Sequence, residues 1–279
     1  MKVLAIIGCG RIANKHHFKA LSEMEDVRIK YACDLIEEKA KKSQEDYPKI
    51  ENVITDYKIA LADSEVDAVY VLTPNFAHYT LTMDALKAGK HVFCEKPLAN
   101  TVDKILEIAD ALKAHPEVKF QVGFNRRFDH NFAAVRKAYD EGKIGELYFV
   151  ESEYAHDYMN IVKNENIWRA DPQRHGVIGG GCHAVDLLRW LAGDPVEVFA
   201  YGTHKLLPTV PYDDATCALL KFDEELMGKV FVSTGCKRDY TMRTCIYGTK
   251  GHLLGLLCGT YGNPCGYGNL PHPCCCLYA

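Results

Sequence analysis

The sequence predicts an α/β chain: a parallel, doubly wound sheet over residues 1–123, followed by an α+β domain on a mostly antiparallel sheet. Three observations predict it. Short β-rich runs alternate with amphipathic helical stretches through the first part, a glycine-rich turn follows the first strand directly, and strands succeed one another without helices after residue 195. In order, strands are expected over Lys2–Ile7, Arg28–Cys33, Val53–Ile54, Ala68–Leu72, His91–Cys94 and Lys119–Val122. Helices are expected between them over Ile12–Leu21, Ile36–Gln44, from about Tyr57, over Phe76–Ala88 (closed by Gly89) and over Val102–Ala114. Such alternation requires right-handed crossovers and hence parallel strands. After Gly123 come a helix over Asn131–Asp140, a strand over Leu147–Tyr154, and an irregular polar stretch from Ala155 to Gly181. A helix over His183–Leu191 then leads to strands at Val196–His204, Ala215–Phe222, Met227–Thr234 and Arg243–Tyr247, whose short turns imply antiparallel pairing.

At 279 residues the chain fits two domains. A formal net charge of −4 supplies no basic field for nucleic acid or anionic lipid. The longest apolar runs are strand-sized, so no membrane span is expected, and the start of the chain lacks a signal-peptide layout, which makes the cytoplasm the expected address. Cys9, Cys33, Cys94, Cys182, Cys217, Cys236 and Cys245 are scattered, mostly in or beside apolar runs, and read as buried free thiols. No CxxC pair is present, and no metal site is assigned.

Gly8-Cys9-Gly10-Arg11-Ile12-Ala13 is a G-x-G-x-x-A sequence at the end of the first strand. The first glycine allows a tight turn, the second lets backbone approach a pyrophosphate, and the small Ala13 lets helix and sheet pack closely. Asp34 ends the second strand, where an acidic side chain suits a ribose 2′-hydroxyl and repels a 2′-phosphate. The pattern therefore implies a Rossmann domain that binds NAD in preference to NADP. The plainer alternative is a structural glycine turn beside a solvated aspartate.

A binding crevice is expected at the C-terminal ends of the strands. Thr73-Pro74-Asn75-Phe76-Ala77-His78 and Glu95-Lys96-Pro97 fall there. Asn75 could be simply a helix N-cap, and Glu95–Lys96 simply a surface ion pair, but a lysine at a strand tip is well placed for chemistry. Cofactor contacts are thus expected from Gly8, Cys9, Gly10, Arg11, Ile12, Asp34, Thr73, Pro74, Asn75, His78, Glu95 and Lys96.

These motifs, with G-F-N-R-R-F at 123–128 and G-G-G-C-H-A-V-D at 179–186, resemble the Gfo/Idh/MocA family, the glucose–fructose oxidoreductase and inositol dehydrogenase group. The resemblance runs from about Met1 to Lys250. It implies an NAD(P)-dependent oxidoreductase acting on CH–OH groups of sugars, inositols or related polyols, with the second domain's sheet often used to form a homodimer or homotetramer. It places the family's lysine at Lys96 and its active-site histidine at His183, as candidate acid/base groups. Many members carry an aspartate four residues before that histidine; here the position is Gly179, so a His–Asp pair is not implied. Asp186 is expected to belong to its helix's own packing network.

Oxidation of a secondary alcohol needs a base for the hydroxyl proton as hydride leaves carbon. Histidine, with an ordinary pKa of about 6.5, suits the task, and a lysine ammonium can stabilise the developing charge on oxygen. The substrate pocket is expected to use Asn125, Arg126 or Arg127, Tyr154, Trp168, Arg169, His175 and His183, which supply donors, acceptors and an apolar floor for a polyol. Two rival functions share these residues: a glycoside hydrolase or lyase that recycles bound NAD, and a non-catalytic cofactor-binding protein.

Residues 251–279 stand apart from the substrate domain expected over 124–250. They contain no Asp, Glu, Lys or Arg, but five cysteines, six glycines and three prolines. At the usual charged fraction, roughly seven charges would be expected. No strand or helix period is evident, and the composition reads as a frame-shifted or otherwise damaged end. A genuine Cys/Gly-rich tail, with a metal held by Cys265, His272 and Cys274–Cys276, is the alternative.

Overall fold

Strand β1 (Lys2–Ile7) has Leu4, Ala5, Ile6 and Ile7 all buried, as a strand covered on both faces must. Successive residues serve opposite cores. Leu4 and Ile6 join Phe18, Leu21, Ile29 and Ala40 on one face, while Ala5 and Ile7 join Val69, Leu81, Leu86 and Ile108 on the other. Around β1 lie β2 (Val27–Cys33), β3 (Ile50–Ile54), β4 (Ala68–Val71), β5 (His91–Cys94) and β6 (Phe120–Val122), in the order β3-β2-β1-β4-β5-β6, every pair parallel. Helices α1 (Phe18–Glu23) and α2 (Glu37–Asp46) cover the first face; α3 (Tyr57–Ala62), α4 (His78–Lys87) and α5 (Val102–Ala114) cover the second. Strand order reverses between β1 and β4, which makes their C-terminal ends the crevice of the sheet.

The helix expected over Ile12–Leu21 differs in its first half, where Ala13–His17 is a π-turn that runs into α1. There the Asn14 side chain donates to the carbonyls of Cys9 and Gly10, and Tyr47 Oη donates to the Asn14 carbonyl. Side-chain bonds compete with the ordinary helical ladder at this point.

The computed structural model describes residues 1–164, 167–258 and 275–278, and its contacts divide the chain into the units Met1–Gly123 and Phe124–Ala279. The second unit holds α6 (His130–Asp140), β7 (Leu147–Ala155), α7 (Met159–Asn164), α8 (Cys182–Ala192), β8 (Glu197–Thr203), β9 (Ala215–Lys221), β10 (Met227–Ser233), β11 (Thr241–Gly248), β12 (Gly251–Cys258) and β13 (Cys275–Tyr278). Its sheet runs β13-β12-β11-β7-β10-β9-β8, antiparallel except between β7 and β10. The exception follows from insertion: β7 lies between two strands of opposite direction and must be parallel to one. Helices α6 and α8 bury Phe132, Val135, Leu187, Leu188 and Leu191 against Val150, Val230, Val232, Met242, Ile246 and Leu253 on one face. Close approach of α8 to the sheet depends on glycines, since a Cβ at Gly180 would lie 2.5 Å from the Tyr154 ring and one at Gly181 would overlap Val232.

Among the described residues no helix covers the other face of this sheet. Phe199, Tyr201, Leu219 and Met227 are exposed on it, beside ion pairs of Glu151 with Lys229 and Arg243 and of Glu153 with Arg238. Past Lys250, where no periodic element is expected from sequence, β12 pairs with β11 along its whole length, with Leu253 buried and Gly255 facing Phe132. Pairing with a neighbouring strand, a non-local property, decides this segment. Cys265, His272 and Cys274 lie outside the described residues, and of Cys275 and Cys276 only the backbone, in β13, is described. Among the described residues no group of three or more His, Cys, Asp or Glu is placed to hold a metal, and no helix is long and apolar enough to cross a membrane.

Candidate active site

In the first unit the loop after β1 is held from three sides. Gly8 has φ +100°, and a Cβ there would lie 2.8 Å from the backbone of Leu72 at the end of β4. Asp34, at the tip of β2, accepts the Cys9 N–H at 2.9 Å through one carboxylate oxygen and the Ile36 N–H at 3.0 Å through the other. Asn14 holds the carbonyl side of the loop, and its own Oδ1 accepts from Ser43 Oγ. Gly10 is different in kind: a Cβ there would meet no atom within 4 Å, so protein packing does not require a glycine. Backbone left open in this way suits the approach of a phosphate group, and the residues of the loop fit a pyrophosphate, with the apolar, exposed Leu35 and Ile36 beyond Asp34. Arg11 and Ile12 are exposed at the same edge. Burial and the Asp34 charge push the Cys9 thiol up to about 12, so it packs as an uncharged group.

The next two strand tips are tied together by His78, which is buried, with Nδ1 2.7 Å from the Pro97 carbonyl and Nε2 2.8 Å from the Thr73 carbonyl. Burial holds its pKa below the ordinary value, so the neutral ring donates to one of these carbonyls. The ring lies between the Thr73 and Lys96–Pro97 loops and hydrogen-bonds one of them; the latter contains a cis peptide bond. Asn75 is not an N-cap: it lies within a 3-10 turn that follows Pro74, and its amide donates to Asn100 at 2.6 Å. Thr73 Oγ1 is buried with no hydrogen-bond partner. It is a polar group the protein leaves open at the strand tip.

Sequence reasoning missed His17. Its Nε2 meets Glu95 Oε1 at 3.0 Å, and its ring packs edge-on against Tyr70 and Phe93. Burial pushes the Glu95 carboxyl up, but the His17 hydrogen bond and the Lys96 charge outweigh it and leave the pKa below the ordinary 4.5. Lys96 donates its backbone N–H to the same carboxylate at 3.2 Å. A histidine 78 residues away in sequence gives no local signal of this pairing.

In the second unit, His183 lies in the first turn of α8, buried, with the Phe124 ring edge-on at 6.3 Å. Asp186, one turn on and buried, takes both hydrogen bonds of an Arg127 fork at 2.9 and 2.6 Å. This ion pair commits Arg127 to the helix and explains Asp186 more specifically than helix packing. Arg126 faces Tyr240 and Asp129, and Asn125 is exposed. Tyr154 is buried in β7, its hydroxyl 3.0 Å from Tyr158 Oη and 3.2 Å from His156 Nδ1. The irregular stretch expected from Ala155 to Gly181 is broken into short turns. Trp168 and Arg169 lie in one at Ile167–Ala170, and Arg174 closes another at Pro172–Arg174. His175 follows with φ +40°, an uncommon conformation for a side chain that branches into a ring. Its carbonyl accepts the Gly179 N–H at 2.9 Å.

Two family matches divide the chain as its structure does. Residues 2–124 match the oxidoreductase family with an NAD-binding Rossmann fold, and residues 132–254 match the GFO/IDH/MocA C-terminal domain. The chain belongs to the Gfo/Idh/MocA oxidoreductase family. The oxidoreductase YrbE of Bacillus subtilis (strain 168) is 30% identical over 263 residues, covering 89% of this chain and 72% of that protein. Inositol 2-dehydrogenase/D-chiro-inositol 3-dehydrogenase of Shouchella clausii (strain KSM-K16) is 28% identical over 252 residues, covering 89% and 70%. The structure of myo-inositol 2-dehydrogenase from Lactobacillus plantarum superposes with a TM-score of 0.83 at 23% identity, over 93% of this chain and 82% of that one. Levoglucosan dehydrogenase in complex with NADH gives 0.83 at 24% identity, over 91% and 72%. At these identities the superpositions establish a shared fold. For this Gfo/Idh/MocA chain they place the parallel sheet and the mixed second sheet among known architectures.

The two loop glycines give opposite expectations. Gly8→Ala should lower folding stability by about 1–3 kcal/mol in chemical denaturation, because the turn is strained and the methyl meets the Leu72 backbone. Gly10→Ala should leave stability within about 1 kcal/mol yet weaken NAD binding at least ~10-fold in titration calorimetry. A second prediction concerns Glu95. His17→Ala strands a mostly buried carboxylate and should cost about 2–3 kcal/mol at pH 7. A carboxylate with a depressed folded pKa stabilises above its unfolded pKa, and that stability is lost as pH falls through the folded one. The deficit of the variant should therefore shrink as urea midpoints are followed from pH 7 to pH 4.

Proposed function

We propose that this chain is an NAD-dependent dehydrogenase that transfers hydride to or from a secondary alcohol of a sugar, inositol or related polyol. The observation that carries the reading is the β1 loop, held rigidly by Gly8, Asp34 and Asn14 while Gly10 presents open backbone. The inositol dehydrogenases among its relatives support the substrate class. Asp34, with Leu35 and Ile36 after it and no arginine, favours NAD over NADP. Thr73 Oγ1 and the Lys96 loop supply polar groups at the nicotinamide end.

When bound, NAD accepts the hydride. The protein's own residues hold the alcohol and take its proton. His183 is the base, since an imidazole changes charge near working pH, and Lys96 steadies the negative charge that develops on the substrate oxygen. Asn125, Arg126, Trp168, Arg169 and His175 hold the polyol, with Tyr154 packed behind them. Cys9, Cys33, Cys94, Cys182, Cys217, Cys236 and Cys245 are unbridged, which suits a reducing, cytoplasmic compartment. The helix-free sheet face with exposed Phe199, Tyr201 and Leu219 is an assembly surface for a homodimer or homotetramer.

With NAD and a panel of inositols and sugars, wild-type protein should accumulate NADH at 340 nm. Turnover without accumulation would favour the cofactor-recycling hydrolase or lyase, and NAD affinity with no turnover a binding protein. His183→Ala should cut turnover at least ~100-fold while the NAD dissociation constant stays within about twofold. Replacing Phe199 and Tyr201 together by Glu should shift the mass from light scattering to that of a monomer; an unchanged mass would move assembly to another surface.

A further inference from the structure

Arg174 is one of the largest fully buried side chains, 2% exposed, yet among the described residues no carboxylate lies within ion-pair distance of it. Its Nε and Nη1 have no hydrogen-bond partner, and neither does Nε of the half-buried Arg169. Both guanidiniums lie over the same two rings. Arg169 is 4.6 Å from the Trp168 centroid and 5.7 Å from that of Tyr158; Arg174 is 5.3 and 5.6 Å away. The rings offset part of the burial cost, but two like charges sharing one aromatic pair repel each other. Buried charges are ordinarily paired with opposite charges; among the described residues Arg174 has tyrosine phenols beside it and no carboxylate.

The cluster is built into the turn that leads to the active-site helix. A side chain at Gly179 would overlap the Arg174 guanidinium, so this placement of the arginine requires the glycine. Gly179 lies one helical turn before His183, on the same side of the chain. Tyr212 donates its hydroxyl to the Arg169 carbonyl at 2.7 Å, which fixes the backbone beside Trp168. The strained φ of His175, directly after Arg174, marks a segment whose conformation the surroundings impose.

We propose that the substrate carries a carboxylate, that Arg169 receives it, and that Arg174 stands behind as a fixed charge. The class is then a sugar acid, such as a uronate or aldonate, in place of a neutral polyol. Planar guanidiniums over aromatic rings, with N–H groups that the described residues leave without a partner, match a planar oxyanion better than a hydroxyl. The inference rests on the dehydrogenase reading above and narrows its substrate.

The test is calorimetry on the full chain saturated with NADH, with matched probes: D-galactose against D-galacturonate, D-glucose against D-glucuronate, and D-glucose 6-phosphate. At least one uronate should bind about 10-fold or more tighter than its neutral partner, and the preference should weaken with added salt. Arg169→Met and Arg174→Met should each bring the ratio to within about twofold while leaving NADH affinity unchanged, and Arg169→Lys should retain part of it. Should Arg174→Met fail to fold, the half-buried Arg169 variants decide the matter. Uronates that bind no better than neutral sugars, or not at all, overturn the proposal, and so does a preference for the phosphate. NADH formation from a neutral polyol in the same preparation would show that the dehydrogenase reading survives that failure.

Discussion

Backbone-to-backbone approach at the tips of the parallel strands is the constraint on which the first unit's function depends. The β1 loop lies against Leu72 so closely that no side chain fits at position 8, and the Asp34 carboxylate binds the amide that follows. A dinucleotide needs just this arrangement, with amides pointing outward from a loop that cannot sag. The rest of the site elaborates it. Asn14 braces the loop from the helix side, His78 lies between the Thr73 and Lys96 loops, and His17 holds Glu95. At Gly10 the backbone is left uncrowded by protein atoms.

The second unit solves a different problem, bringing a helix that carries histidine close against a sheet. Three consecutive glycines do it, each facing a different obstacle: the Arg174 guanidinium, the Tyr154 ring and Val232. The sequence shows the run, and the structure shows that each of its glycines is crowded. The same contacts explain why Tyr154, a candidate for the pocket, packs as part of the wall behind that helix, its hydroxyl engaged by Tyr158 and His156.

What was legible in the sequence was local. The strand runs with β-branched residues, the G-x-G-x-x-A turn and the acidic end of β2 are local patterns, and they gave the Rossmann order of elements that the structure has. Properties set by distant partners were not legible. The parallel pairing of β7 with β10, the use of Gly251–Cys258 as a strand, the His17–Glu95 pair and the Arg127–Asp186 fork all join residues far apart in the chain. Arg126 and Arg127 are adjacent and chemically identical, so only the placement of Asp186 on α8 separates them. The π-turn at Ala13–His17 was hidden for a similar reason, because Tyr47, which bonds the Asn14 carbonyl there, lies 33 residues away.

Charge pairing carries the argument furthest. On the open face of the second sheet, Glu151 and Glu153 are matched by Lys229, Arg243 and Arg238. Around α8, Arg127 is matched by Asp186 and Arg189 by Asp194. In the first unit, buried Glu95 has His17 and two contributions from Lys96. With so many ions matched, Arg174, buried beside tyrosine phenols with no carboxylate at ion-pair distance among the described residues, departs from the rule. Desolvating an arginine is costly enough that such an exception persists where something offsets it. The aromatic pair of Trp168 and Tyr158 offsets a part, and the remainder is available to an anion that arrives with the substrate. On this reasoning Gly179 is the other half of a charge placed deliberately close to His183, in a space where an acidic side chain could not fit.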